Sequence, residues 1–255
     1  MIPTPTDNLA VTVPSGTSAI FVGANGGGKT RLAVHVENIT KTNAHRISAH
    51  RSLSLNPKVV KIPEDQALGG LRFGQTDPKY HNSDMREHGR WGAKSAVHLL
   101  NDFDFLVQAL FAEQTNTSLI AYHANKPNST DTGQPFQSTK MDKLAEIWGR
   151  LLPHRALQIT GDDISVTSPN GGTSYPASEM SDGERAIFYM IGQALVAAPD
   201  HLLIIDEPEL HVHPSIMSKL WDELEAARPD CAFVYITHDL EFASARNAQK
   251  FVIRD

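Results

Sequence analysis

Cysteine is almost absent from this chain: Cys231 is the one cysteine among 255 residues. No disulfide can close within it, and a thiol inside an apolar run reads as a buried strand residue in a reducing, cytoplasmic setting. Also missing is any apolar run of membrane-spanning length. The opening MIPTPTDNLAV carries neither the basic nor the apolar segment of a secretory leader, so no membrane partner is expected. Positive charge is in deficit as well, with 23 Lys and Arg against 29 Asp and Glu, a formal net charge of −6. Binding duplex nucleic acid by overall charge is thereby excluded, and only a local contact remains open.

What is present is core-forming material. Hydrophobic residues make up 40% and charged residues 20%, which suits one large domain or a core carrying an insertion. From about Asn8 to Asn38 the pattern is strand, tight loop, helix: AVTV and SAIFV are apolar β-branched runs, and TRLAVHVENI has helical periodicity. RISAHRSL suggests a second strand, closed by Asn56 and Pro57. Between about Glu64 and Pro153 loops rich in Gly, Asn, His and Asp surround helical stretches, SAVHLLNDFDFLVQALFAEQ and MDKLAEIWGRLL. The polar run NKPNSTDTGQPFQS reads as a mobile loop.

After Pro153 strand signals return. ALQIT, ISVTS and TSYPA are short alternating runs joined by the turn sequences GDD and PNGG. SDGERAIFYMIGQAL follows as an amphipathic helix, and HLLIIDE reads as a strand buried on both faces. MSKLWDELEAAR is a helix, CAFVYITH another buried strand, LEFASARN a short helix and KFVIRD a last strand. This alternation predicts an α/β fold: a mixed sheet core with antiparallel β hairpins, built from 1–63 and 154–255, and a mostly helical insertion at 64–153. The terminal strand with no tail suggests an excised domain or a missing C-terminal part.

Three motifs carry chemistry. Gly23-Ala24-Asn25-Gly26-Gly27-Gly28-Lys29-Thr30 fits G-x-x-x-x-G-K-[ST], between an apolar strand and a helix. Its glycines let backbone N–H groups face a phosphate chain at the positive end of a helix. Lys29 would reach the β- and γ-phosphates of ATP, and the Thr30 hydroxyl would ligate Mg²⁺. In LLIIDEPELHVHP, Asp206 ends the buried run, placed to hold Mg²⁺. Glu207 follows it, placed to orient or deprotonate the attacking water. In YITHDLEF, His238 comes just after a buried strand and can hydrogen-bond a γ-phosphate. Ser181 with Glu184 forms a capping box at the head of the SDGE helix, and Asp182 suits its dipole.

In this order, P-loop, Ser-x-Gly-Glu helix head, Asp-Glu-Pro and Thr-His-Asp, the chain resembles the ATP-binding-cassette type of P-loop NTPase. The run Asp206-Glu207-Pro208-Glu209-Leu210-His211-Val212-His213-Pro214 is similar to the soluble branch of DNA-repair and chromosome-maintenance ATPases and overcoming-lysogenisation-defect proteins. Transporter cassettes usually carry another run there. ERAIFYMIGQAL and RPDCAFVYITHDLEFA look like ATPases of the phage anti-restriction-induced defence type, whose chains usually continue into a further domain. The resemblance covers the first and last thirds of the chain.

It implies a Mg-dependent ATPase that forms a homodimer or higher oligomer. Ser181, Asp182, Gly183 and Glu184 of one copy would close over the γ-phosphate of another, and engagement would control an effector in anti-phage defence or DNA maintenance. The alternative is a nucleotide-gated scaffold that sequesters an effector without needing hydrolysis. The family also uses a glutamine after its second strand, for which Gln66 and Gln75 are both candidates, and the site for adenine is unassigned. His211 and His213 lack a third ligand at zinc spacing, and the resemblance makes them part of a dimer-facing loop. Arg46 and Arg51 fit either a phosphate or polynucleotide contact or ordinary strand-edge charges.

Overall fold

A computed structural model of the chain describes residues 2–3, 8–125, 137–161, 163–168 and 174–254. In chain order its elements are β1 (Ile2–Pro3), β2 (Asn8–Leu9), β3 (Ser18–Val22), α1 (Lys29–Thr40), β4 (Ala44–Ile47), α2 (Glu64–Phe73), α3 (Ser83–Gly89), α4 (Phe103–Ala124) and α5 (Lys140–Leu151). They continue with β5 (Ala156–Ile159), β6 (Ile164–Thr167), β7 (Tyr175–Pro176), α6 (Asp182–Val196), β8 (Leu202–Asp206), α7 (Pro214–Ala227), β9 (Ala232–Thr237), α8 (Leu240–Ala245) and β10 (Gln249–Val252). The fold is α/β. Its central sheet is parallel in the order β10-β3-β9-β8-β4, and separate antiparallel sheets join β1 to β2 and β5 to β6 to β7.

The continuous apolar runs become the sheet because both its faces are covered. Strand periodicity sends alternate residues to opposite sides. Ile20, Leu203, Ile205, Phe233 and Tyr235 enter the larger core with α4, α5, α6 and α7. Ala19, Phe21, Ile204, Val234 and Ile236 enter a smaller core with Ala33 and Val36 of α1. Every residue of β9 is buried. Cys231 lies buried just before it, as the apolar run around it implied.

Several boundaries differ from the sequence reading. AVTV is not a strand: Val11 and Val13 pack against the smaller core while Thr12 is exposed, so the alternation reports a packed face without a ladder. The second strand starts earlier and ends sooner than RISAHRSL, at Ala44–Ile47, because Ser48–Arg51 turns away to meet the segment before α4. Leu100 N–H donates to His50 O (3.0 Å) and Ser52 N–H to Leu100 O (2.7 Å). That pairing also holds 95–102 out of the helix predicted there, so α4 begins at Phe103. The proposed mobile loop lies almost wholly outside the described residues, as do PNGG and the middle of GDD.

Candidate functional site

The carboxyl ends of β3, β9 and β8 lie side by side, and the three sequence motifs leave from them. Two backbone bonds extend the ladders past the strands: Gly23 N–H to Thr237 O (3.1 Å) and Glu207 N–H to Ile236 O (2.9 Å). The loop Gly23–Gly28, the Asp206-Glu207 pair and His238 are thereby aligned along one sheet edge, the crevice where open α/β sheets take ligands.

Gly26 and Gly28 sit at φ 84° and 80°, and nothing lies within 4 Å of where a Cβ would be. Glycine is therefore set here by backbone conformation, with open space over the loop. Gly28 caps α1 without any side-chain hydrogen bond, which leaves the first N–H groups of a 12-residue helix uncapped. Lys29 turns its ammonium onto its own loop, donating to Ala24 O and Asn25 Oδ1, each at 3.1 Å, with Glu207 Oε1 at 3.8 Å.

Asp206 is fully buried, and among the described residues neither carboxylate oxygen meets a well-formed hydrogen-bond donor. Burial pushes its carboxyl up to about 6, against the lowering pull of Arg46 and of the Thr30 hydroxyl nearby. Glu207 has φ 55°, a conformation that costs a non-glycine residue energy, and the turn that follows holds it by Leu210 N–H to Glu207 O. Its Oε1 lies 3.9 Å from His238 Nδ1.

Ser181–Glu184 is built differently. Ser181 N–H and Oγ donate to Glu184 Oε2 at 2.8 Å, and Glu184 N–H returns a bond to Ser181 Oγ, completing the capping box. Tyr175 donates its hydroxyl proton to Glu184 Oε1 (2.7 Å), and Asp182 pairs with Arg185 (2.5 Å). Among the described residues no hydrogen bond or ion pair joins this head to residues 23–30. A Cβ at Gly183 would instead meet His211 O at 3.6 Å, beside the turn after Asp206.

The family model described as "AAA domain, putative AbiEii toxin, Type IV TA system" matches residues 88–244, more than half the chain. The chain belongs to this AAA-domain family. It is an α/β P-loop NTPase. The matched span contains Ser181, Asp206, Glu207 and His238 and begins after the P-loop of this AAA-domain protein. No curated protein matches it. Solved structures similar to it include a nucleotide-free ATP-binding cassette from an ABC transporter, 17% identical, with 97% of this chain and 80% of that one covered and a TM-score of 0.42. Another is the Smc head bound to the C-winged helix domain of ScpA, 15% identical, with 92% and 85% covered and a TM-score of 0.42.

Other residues of this AAA-domain protein fall where the sequence left choices. Gln66 lies in the first turn of α2 and Gln75 follows its C-cap, Gly74; the residues directly after β4 are Ser48, Ala49 and His50. Arg46 is fully buried, bonded to Glu37 (2.8 Å) and stacked over Trp91, and buried Arg51 donates to Ser48 O and Leu210 O. Neither can meet a polynucleotide. His213 caps α7, accepting from Ser215 N–H, and no cluster of three or more metal-ligating side chains exists among the described residues. Glu209, quoted only as part of a motif, bonds both Thr237 and His238.

Beside Gly28 a cavity of about 600 Å³ opens, walled by Phe21, Leu32, Phe251 and Ile253 and also lined by Arg31. Among the described residues no helix is long and apolar enough to cross a membrane.

Proposed function

We propose that this protein is a Mg-dependent ATPase whose active unit is a dimer with composite nucleotide sites. The observation that carries the reading is the pair of buried, unpartnered Asp206 oxygens beside Thr30 and the P-loop. A carboxylate buried without a partner is costly, and a divalent cation held by Thr30 and Asp206 removes that cost. Bound there, magnesium would supply charge neutralisation at the phosphates.

The chain's own groups do the rest. The uncapped N–H groups of α1 and the glycine loop receive the phosphates. Lys29 trades its contacts with Ala24 and Asn25 for the β- and γ-phosphates. Glu207 orients the attacking water and takes up its proton, and positioning with charge stabilisation accounts for most of such a reaction. The apolar cavity beside Gly28 receives the base. Ser181 and Gly183 serve the site of a second copy, and their closure signals to an effector. The family description, with its toxin and TA-system wording, and the resemblance to defence ATPases support a cytoplasmic role in phage defence rather than transport.

Glu207→Gln tests the chemistry. Phosphate release should fall by about 10²–10⁴-fold, the usual worth of a positioned base, while ATP still binds and holds the dimer. Normal hydrolysis by this variant sinks the assignment of Glu207. Weak hydrolysis indifferent to Glu207, with assembly still lost in Lys29→Ala, would show a nucleotide-gated scaffold instead.

A further inference from the structure

We propose that Glu209 is the positioning residue for His238, fixing which ring nitrogen faces the nucleotide and keeping the ring off Glu207. This rests on the ATPase reading above. One oxygen of Glu209 gathers three groups: the Thr237 hydroxyl at 2.8 Å, the His238 N–H at 3.2 Å and His238 Nδ1 at 2.9 Å. Thr237 also accepts from Asp239 N–H (2.9 Å), and Asp239 caps α8 by accepting from Phe242 N–H. The backbone on both sides of His238 is therefore held, and Glu209 holds the ring as well.

Glu209 can do this because it is itself fixed. It is 14% exposed at the side chain, and its carbonyl accepts from Val212 N–H. Arg51, buried beneath, donates to Leu210 O in the same turn. Glu207 and Glu209 thus leave one tight turn with their carboxylates facing the same imidazole nitrogen, at 3.9 and 2.9 Å.

The chemistry follows from the inventory of a histidine ring. A neutral imidazole has one N–H, and a carboxylate at hydrogen-bond distance assigns that proton to Nδ1. Nε2 is then the nitrogen left for a ligand. Because Nδ1 is committed to Glu209, the Glu207 carboxylate stays free for water. Carboxylates that orient a histidine from behind in this way set its tautomer at metal centres too, where losing one costs about 10- to 100-fold.

The test uses Glu209→Ala and Glu209→Gln in the whole chain. Ring-nitrogen NMR of the nucleotide-free protein, assigned with His238→Gln, should give the Nδ1–H tautomer in wild type and in Glu209→Gln, whose amide oxygen still accepts. In Glu209→Ala that preference should be lost. Turnover of ATP should fall about 10- to 100-fold in Glu209→Ala with KM within about threefold, and Glu209→Gln should recover most of it. In a His238→Ala background, Glu209→Ala should cost nothing further.

An unchanged tautomer in Glu209→Ala overturns the proposal. So does an additive loss on top of His238→Ala, or a parallel loss of turnover, KM and melting temperature that glutamine does not rescue. Glu209→Asp, shorter by one methylene, replaces alanine should that variant not fold, and is expected to lose the tautomer too. If wild type hydrolyses no ATP, the ATPase reading fails, while the tautomer still decides the role of Glu209.

Discussion

Two ends of the molecule treat polar groups in opposite ways. Along the carboxyl edge of the sheet, Asp206 is buried without a well-formed hydrogen bond, α1 starts without a side-chain cap and Glu207 holds a costly backbone conformation. At the head of α6 the carboxylates and the capping hydroxyl are paired: Ser181 with Glu184, Glu184 with Tyr175, Asp182 with Arg185. A ligand can improve the first region without displacing anything but Lys29. At the second, an internal bond must open before a ligand is received. On the function proposed above, the sheet edge would take nucleotide in a single chain, while the helix head, already paired, would change only when another surface offers something better. Breaking each region should therefore leave a different signature.

The largest effect is expected at Lys29. Lys29→Ala removes the one cation that, among the described residues, is bonded to the P-loop, and ATP affinity should fall about a hundredfold or more, some 3 kcal/mol, by equilibrium titration. The fold should persist by circular dichroism, since the carbonyl and amide that Lys29 engages sit on exposed Ala24 and Asn25. Equal affinity in the variant would mean that the phosphates lie elsewhere.

Asp206→Asn should do the reverse of ordinary damage and stabilise the nucleotide-free protein. The folded carboxyl keeps its proton up to about pH 6, whereas in the unfolded chain it is lost near its ordinary value of 3.8. Between these values the folded state binds more protons, so stability falls as pH rises from about 4 to 6. Above that window the whole penalty is present, at most about 3 kcal/mol. The asparagine variant should escape it, melting higher than wild type at pH 7.5 and losing that slope, while losing hydrolysis. A lower melting temperature at pH 7.5 would show that the charged form is already satisfied.

How much of this the sequence revealed depends on how local each feature is. The P-loop, the capping box and the strand runs LLIID and AFVYIT are complete within a few residues, so their spacing is their structure. What distance in sequence conceals is partnership. Asp102 accepts from Tyr189 and Gln193, 87 and 91 residues away, at the head of a helix whose start periodicity alone misplaces. Arg46 and Arg51 look like surface charge until Glu37, Trp91 and Leu210 are seen around them. Glu209 stood beside the conspicuous histidines, and nothing local tied it to Thr237, 28 residues on.

Ser181→Ala opens the paired end. Loss of the cap should cost about 1 kcal/mol in chemical denaturation, and hydrolysis should fall although Ser181 touches no P-loop residue of its own chain. Mixing this variant with Lys29→Ala separates the two regions in function. A mixed dimer has one site with both Lys29 and Ser181 intact, so a random mixture should regain about a quarter of wild-type turnover. No recovery would place the site within one chain.

The smallest effect belongs to Asp182. Its carboxylate is 72% exposed, and Arg185 holds it below the usual carboxylate range through a hydrogen bond across one helical turn. An exposed pair of this kind contributes little to stability. Near a γ-phosphate the same carboxylate would repel the ligand unless it faced the surface of the second copy. Asp182→Gly should therefore keep or strengthen ATP-driven dimerisation, measured by light scattering with Glu207→Gln as background. A large loss would show that Asp182, and not only the backbone around Gly183, contacts the second copy, and the paired region would then be a binding surface already in its working form.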